Sequence, residues 1–110
     1  LGEVAIIDFN SPISKTKIIY NNNLFDENVS THLAFGCAYQ NTIQNGTNMN
    51  VEELDKAGCN ICQEHMDFTI GTEDLTIIAK THDNKEIEIF KNGSFNYGLI
   101  NETSPFLLIK

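Results

Sequence analysis

The stretch Leu75–Leu99, LTIIAKTHDNKEIEIFKNGSFNYGL, decides the fold class of this sequence. Apolar and polar residues alternate on both sides of the pair Asn92-Gly93, with Ile87 and Ile89 at alternate positions before it. Asn-Gly between two alternating runs is a strong hairpin signal, because both residues tolerate positive φ. The segment therefore predicts antiparallel strands joined by tight turns.

The same alternation, mixed with short apolar runs, recurs along most of the chain. Outside the hairpin segment, the predicted strands are Val4–Phe9, Lys15–Tyr20, Thr31–Tyr39, Met66–Ile70 and Phe106–Ile109. About seven or eight strands, separated by turn signals, are typical of an all-β domain. We predict one domain over residues 1–110, built as a mainly antiparallel β-sandwich or a small barrel.

One short helix is predicted near residues 51–57. Asn50 can cap its N-terminus, and Glu53 occupies the third helical position, as a capping box requires. Gly58 can end the helix in the left-handed conformation. The segments 21–30 and 40–50 are polar and are predicted to be long loops.

The charge balance and the hydropathy pattern exclude two classes of partner. The chain has fifteen Asp and Glu residues, seven Lys residues and no Arg, which gives a net charge of −8. Binding to DNA or RNA depends on cations that displace counterions from phosphates, so a nucleic-acid partner is not expected. The chain also lacks the roughly 20 consecutive apolar residues that span a bilayer, so direct membrane insertion of this segment is not expected.

Four tripeptides match the N-glycosylation acceptor pattern, and they begin at Asn28, Asn45, Asn92 and Asn101. The abundance of Asn, Ser and Thr gives about two matches by chance, so four is a mild excess. All four fall in predicted loops or turns, where an attached glycan would be accessible. They are candidate glycosylation sites.

Three cysteines admit four interpretations. The first is one disulfide from Cys37 to Cys59 or Cys62, which would attach the long loop to the sheet and leave one thiol either free or paired with a second chain. The second is a zinc site formed by Cys37, Cys59, Cys62 and His65. Against it, the gap of two residues before His65 is short.

The third interpretation is thiol–disulfide exchange at the Cys59-x-x-Cys62 motif. The motif follows the C-terminus of the predicted helix and has Glu64 and Asp67 nearby, and both features disfavour a thiolate. The fourth is that all three cysteines are reduced and pack as small apolar residues. Thiol exchange is the only enzymatic activity for which the sequence offers a candidate.

Other catalytic motifs are missing. The sequence contains no P-loop, no dinucleotide-binding glycine motif, no H-E-x-x-H and no G-x-S-x-G. His32, His65 and His82 are few and scattered, so none is assigned as a catalytic base. The acidic pairs are interpreted as solvated loop charges, and no cofactor is predicted.

These observations lead to a functional hypothesis. We expect a secreted or surface-displayed, non-enzymatic binding module that presents loops to a protein or glycan partner, with a cytoplasmic location as the alternative. A glycoprotein with a disulfide bond fits the acceptor tripeptides and the cysteines. The alternative functions are a structural or assembly subunit, oligomeric through the odd cysteine, and a small apolar-ligand carrier.

Overall fold

The computed structural model describes residues 1–99 as strands in two small antiparallel sheets, together with short helices. The strands are β1 (Glu3–Ala5), β2 (His32–Gly36), β3 (His65–Thr69), β4 (Ile77–Lys80), β5 (Glu86–Lys91) and β6 (Ser94–Phe95). The helices are α1 (Pro12–Thr16), α2 (Asn23–Glu27) and α3 (Val51–Lys56), with 3-10 turns at Gln40–Thr42 and Gly46–Asn48. A sandwich or barrel is not confirmed, but the strand-rich, antiparallel character is.

The first sheet has the order β1-β2-β3, so β2 is its central strand. Its register places Ala34 opposite Glu3 on one side and opposite Asp67 on the other. Because side chains alternate between the two faces of a strand, these three residues share one face. We call this the polar face of the first sheet; His32 and His65 also belong to it.

The opposite face of the first sheet is apolar. It carries Val4, Leu33, Phe35, Met66 and Phe68. The rings of Phe35 and Phe68 stack with their centroids 4.7 Å apart, yet Phe35 remains 61% exposed and Met66 68% exposed. In a strand with one polar and one apolar face, polar and apolar residues alternate along the sequence. This alternation is why β2 and β3 could be predicted.

The second sheet has the order β4-β5-β6 and confirms the predicted hairpin at Asn92-Gly93. Both turn residues have positive φ, 48° for Asn92 and 72° for Gly93. A Cβ atom at Gly93 would lie 2.8 Å from the ring of Phe9, so this position also needs glycine for space. Phe90 is fully buried and meets Phe95 edge to face across the β5–β6 pair.

Helix α3 confirms the predicted capping box. The side chain of Asn50 accepts a hydrogen bond from the backbone N–H of Glu53, and the Glu53 carboxylate accepts one from the backbone N–H of Asn50. Gly58 follows the helix with a φ of 83°. Leu54 is the buried residue of α3. No helix within residues 1–99 is long and apolar enough to cross a membrane.

Two of the predictions for residues 15–30 are wrong. The predicted strand Lys15–Tyr20 begins inside helix α1, whose start is fixed by Ser11 and Pro12. The Ser11 hydroxyl accepts a hydrogen bond from the backbone N–H of Ser14 at 3.2 Å, and Pro12 occupies the first turn, where its missing N–H costs nothing. The predicted loop 21–30 contains α2, so α3 is not the only helix. The predicted strand Phe106–Ile109 lies outside the described residues.

Asp8 connects the two sheets. Its carboxylate accepts hydrogen bonds from the Tyr97 hydroxyl at 2.9 Å and from the backbone N–H groups of Phe95 at 3.0 Å and Asn10 at 2.7 Å. Burial alone would raise the pKa of Asp8, but these bonds and one from Ser94 lower it to about 2. The residue is only 8% exposed. The carboxylate therefore stabilises the fold in its charged form.

We predict that Asp8→Asn lowers the free energy of unfolding by about 2 kcal/mol at pH 7, from the depressed pKa. A lowered pKa contributes stability above the unfolded-state value near 3.8, and this contribution is lost as the pH falls towards 2. The difference between wild type and variant should therefore shrink below about pH 4. Urea unfolding at several pH values measures it. Glu73→Gln, at an exposed position, is the control; an equal loss in both variants would contradict the role of Asp8.

Lys17 ends α1 in the left-handed region, with a φ of 54° and a ψ of 29°. This conformation costs a residue with a Cβ atom roughly 1 kcal/mol or more. We predict that Lys17→Gly raises the free energy of unfolding by up to about 1 kcal/mol, because the relief of strain exceeds the added chain entropy of glycine. Lys15→Gly, inside the helix, should lower it by about the same amount. Thermal melts of both variants measure this, and a loss at Lys17 would contradict it.

Candidate metal centre

The polar face of the first sheet brings two carboxylates to one histidine. His65 Nε2 lies 3.4 Å from Glu3 Oε2 and 3.3 Å from Asp67 Oδ1. One donor atom from each of these three residues lies within 4.8 Å of the other two. The side chains are partly exposed, so the cluster is open to solvent on one side. Imidazole nitrogen and carboxylate oxygen are the ligands that zinc and related cations take in catalytic sites.

A second histidine reaches the same cluster. His32 is 2% exposed, and its Nε2 lies 3.6 Å from Glu3 Oε1. His32 and Glu3 come from adjacent strands, in which Glu3 pairs with Ala34 and His32 pairs with Ala5. The carboxylate of Glu3 thus lies between the two imidazole rings.

Backbone carbonyls fix the tautomer of both rings. His65 Nδ1 lies 2.7 Å from the carbonyl oxygen of Cys37, and His32 Nδ1 lies 3.0 Å from that of Ser30. A carbonyl oxygen can only accept, so each Nδ1 carries the hydrogen and the Nε2 lone pair is directed at the cluster. Metal-binding histidines are oriented in this way, with the second nitrogen donating to a carbonyl or carboxylate.

Glu27, at the end of α2, adds a third carboxyl group. Burial raises the pKa of Glu27, and the neighbouring charge of Asp67 and a hydrogen bond with Asp67 raise it further. Glu27 thus lies beside Asp67 and lines the same cavity, next to the group of Glu3, His65 and Asp67.

Tyr39 borders the cluster. Its hydroxyl oxygen lies 3.4 Å from His65 Nε2, and the two rings are 5.1 Å apart between centroids. Burial and the charges of Glu3 and Asp67 raise the pKa of Tyr39, so its hydroxyl keeps its proton and can donate a hydrogen bond. The pKa of His65 is also raised, by the Cys37 carbonyl first and then by Asp67 and Glu3.

The small side chain of Ala34 makes room for the cluster. Ala34 is fully buried and lies between Glu3 and Asp67 in the register, on the face that carries both carboxylates. Gly36, the next residue on this face, has a φ of 99°, and a Cβ there would lie 2.1 Å from the carbonyl oxygen of Glu64. Both positions of the central strand therefore need small residues for the polar face to form.

The donor set fits a divalent cation. The carboxylates of Glu3 and Asp67 lie beside the Nε2 atoms of His32 and His65, and among the residues that the structure describes no lysine forms an ion pair with either carboxylate. The lysine ion pairs lie elsewhere, at Asp83 and Glu88. Negative charge gathered in this way without a lysine or arginine is stabilised by a bound cation. A cavity of about 410 Å³ opens beside the cluster, between β3 and α2.

The structure places the residues predicted from the sequence in different positions. Of the alternative zinc ligands, only His65 belongs to the cluster. Cys37 contributes its backbone carbonyl, Cys59 is buried behind α3 and Cys62 is exposed. All three are free thiols, and a disulfide on oxidation stays a prediction. His82 lies in an exposed turn and belongs neither to the cluster nor to the lining of the cavity.

The predicted glycosylation positions stay predictions as well. Asn45 and Asn92 are exposed in turns, and Asn28 is half-buried at the end of α2, where its amide donates to the carbonyl of Leu24. Asn101 lies outside the described residues. The functional residues that the sequence analysis left unassigned are Glu3, Glu27, His32, Tyr39 and Asp67. The signal for two ligands was present in His65-x-Asp67, because alternate residues of a strand share a face.

The geometry is that of a candidate metal centre, with histidine and carboxylate donor atoms gathered on one face of an antiparallel sheet. Comparison with known families agrees. Residues 1–95 match the family described as thermophilic metalloprotease (M29). The chain belongs to this family.

Curated relatives carry matching names. Over 97 residues the chain is 47% identical to "Aminopeptidase AmpS" of Bacillus subtilis, which covers 88% of this chain and 24% of the relative. Over 99 residues it is 46% identical to "Aminopeptidase 2" of Geobacillus stearothermophilus, covering 90% and 24%. The chain thus spans about a quarter of the length of these relatives.

A solved structure supports the fold. Wild-type AmpT from Thermus thermophilus superposes with a TM-score of 0.75 at 34% sequence identity, covering 87% of this chain and 23% of that one. The two sheets with short helices resemble the fold of that protein.

These comparisons correct the functional hypothesis. A non-enzymatic binding module is wrong, because the chain belongs to a metalloprotease family. The relatives are named aminopeptidases. The predictions of a glycan or protein partner, a structural subunit and an apolar-ligand carrier are therefore wrong as well. The secreted or surface-displayed glycoprotein, which was inferred from the acceptor tripeptides and the cysteines, is also wrong, because the chain belongs to a metalloprotease family and its relatives are bacterial aminopeptidases.

We predict that Ala34→Leu weakens cation binding by at least about tenfold, because the larger side chain occupies the space between Glu3 and Asp67 and moves their carboxylates apart. Calorimetric titration with Zn²⁺ measures the affinity, and circular dichroism checks that the variant is folded. Phe35→Leu, the next residue along β2 but on the apolar face, is the matched control and should bind like the wild type. A folded Ala34→Leu protein with unchanged affinity would contradict the register argument.

Proposed function

We propose that this chain forms the metal-binding part of an aminopeptidase, an enzyme that removes the N-terminal residue of a peptide. The observation that carries the proposal is the convergence of Glu3, His65 and Asp67 within 4.8 Å on the polar face. Membership of a metalloprotease family supports the same chemistry. The names of the relatives supply the substrate class, a peptide with a free N-terminus.

The residues would divide the work as follows. Glu3, His65 and Asp67 would hold the cation, with His32 beside Glu3 and Glu27 beside Asp67 available to join them. A bound divalent cation polarises the peptide carbonyl and activates water for its hydrolysis. The carbonyls of Cys37 and Ser30 keep the two imidazole rings oriented, so the lone pairs stay directed at the cluster.

Tyr39 and the acidic groups would orient the substrate. The Tyr39 hydroxyl, protonated at neutral pH, can donate a hydrogen bond to the oxygen on which negative charge develops. The α-ammonium group of a peptide is positive, and acidic side chains that line the cavity, such as Asp26, would attract it. This attraction favours a free N-terminus over a position in the middle of a chain. The net charge of −8 acts in the same direction.

We predict that His65→Ala and Asp67→Asn each lower kcat/KM for a leucine amide substrate by more than about 100-fold in the natural protein that carries these residues. Bound metal, measured by elemental analysis, should fall with the activity. His82→Ala and Asp74→Asn change the same residue types at exposed positions outside the cluster and are the controls. An N-acetylated substrate should not be cleaved. Full activity in His65→Ala would overturn the proposed function.

A further inference from the structure

Strand β3 has a free edge beside the metal cluster. It pairs with β2 on one side, and within residues 1–99 no strand pairs with its other side. β3 also carries His65 and Asp67, so its outer edge starts at the cluster.

Hydrogen bonds at both ends of the β2–β3 pair show which backbone groups face outwards. The backbone N–H of Cys37 donates to the carbonyl of Glu64 at 2.7 Å, and that of Ile70 donates to the carbonyl of Thr31 at 3.0 Å. In an antiparallel pair, hydrogen-bonded and non-hydrogen-bonded residues alternate. The ladder therefore uses the backbone groups of Met66 and Phe68.

The remaining β3 residues, His65, Asp67 and Thr69, direct their backbone N–H and C=O groups away from β2. Within the described residues, no backbone hydrogen bond reaches these groups. Such groups recur every second residue, which is about 6.6–6.8 Å along a strand. This is also the repeat of an extended peptide, so the edge offers a complete set of partners for another main chain.

The cavity lies along this edge. Its lining includes all five residues of β3, from His65 to Thr69. Met66 and Phe68 belong to the apolar face, whereas the other three belong to the polar face, so the cavity borders the strand's edge and not only one of its faces. Asn23, Asp26 and Glu27 of α2 form the opposite wall. With a volume of about 410 Å³, the groove has the size of a site for a short ligand.

We propose that the peptide substrate binds as an additional β-strand on the outer edge of β3, with its N-terminal residue at the metal cluster. The inference rests on the proposed function and specifies how that function recognises its substrate. Addition of a strand to a free sheet edge is a general mode of peptide recognition, in which main-chain hydrogen bonds give the affinity. His65 and Asp67 belong both to the cluster that would hold the cation and to the outer edge of β3. Docking of the main chain on that edge would therefore set the position of the reacting bond relative to the cation.

The first test changes the substrate and leaves the metal-loaded natural protein unaltered. Two tetrapeptides of the same sequence carry a single N-methyl group, one on the amide nitrogen of residue 3 and the other on that of residue 4. Alternate residues of an added strand face β3, so one methyl group should lower kcat/KM by about tenfold and the other should have little effect. Equal effects, or no effect at either position, would overturn the proposal.

The second test measures binding without hydrolysis. A tetrapeptide whose first peptide bond is replaced by CH₂–NH should slow hydrogen exchange at the backbone amides of His65, Asp67 and Thr69. The amides of Met66 and Phe68, which already pair with β2, are the internal controls and should not change. If the outward amides are already protected in the free protein, a strand of the same protein occupies the edge and the proposal is wrong.

The two proposals fail in different ways. A protein that hydrolyses no peptide, yet protects the outward β3 amides when the peptide is added, contradicts the proposed function and supports the docking mode. A protein that hydrolyses unmodified tetrapeptides but shows no alternation between the two N-methyl positions contradicts the docking mode alone.

Discussion

The antiparallel register of the central strand β2 is the constraint on which the rest of the site depends. Ala34 stands opposite Glu3 and Asp67 at once, so two carboxylates from different strands are brought over one small side chain. The same register places His65 opposite Gly36 and His32 opposite Thr69. A slip of one residue would move all of these groups to the apolar face. The fold and the donor set are therefore specified by the same pairings.

Burial of the histidines and carboxylates costs free energy, and hydrogen bonds to the surrounding backbone offset this cost. Burial disfavours charged groups, yet each imidazole donates from Nδ1 to a carbonyl and each keeps its other nitrogen for the cluster. Among the residues described, no buried side-chain polar atom lacks a partner. The apolar core is small, with Ala34, Leu54, Cys59 and Phe90 as its buried members, so polar contacts such as those of Asp8 carry much of the organisation.

The sequence predicted the strands β2, β3 and the Asn92-Gly93 hairpin because their side chains alternate over five or more residues. It predicted α3 because a capping box is a local signal. Helices α1 and α2 have five residues each, too few for a helical period, and α1 depends on Ser11 and Pro12 at its start. The site escaped prediction for another reason: Glu3, His32 and His65 are far apart in the sequence, and strand register alone brings them together. The Cys59-x-x-Cys62 motif also suggested cysteine sulfur atoms as ligands, but the cluster contains no cysteine side chain.

The strand order of the first sheet has a consequence for a bound cation. Within residues 1–99, β1 has three residues and pairs with β2, as β3 does from the other side. An ion bound by both Glu3 and Asp67 would link β1 to β3 across the central strand β2. Such an ion would add a direct link between the two outer strands, which otherwise meet only through the pairing of each with β2 in the described part of the chain.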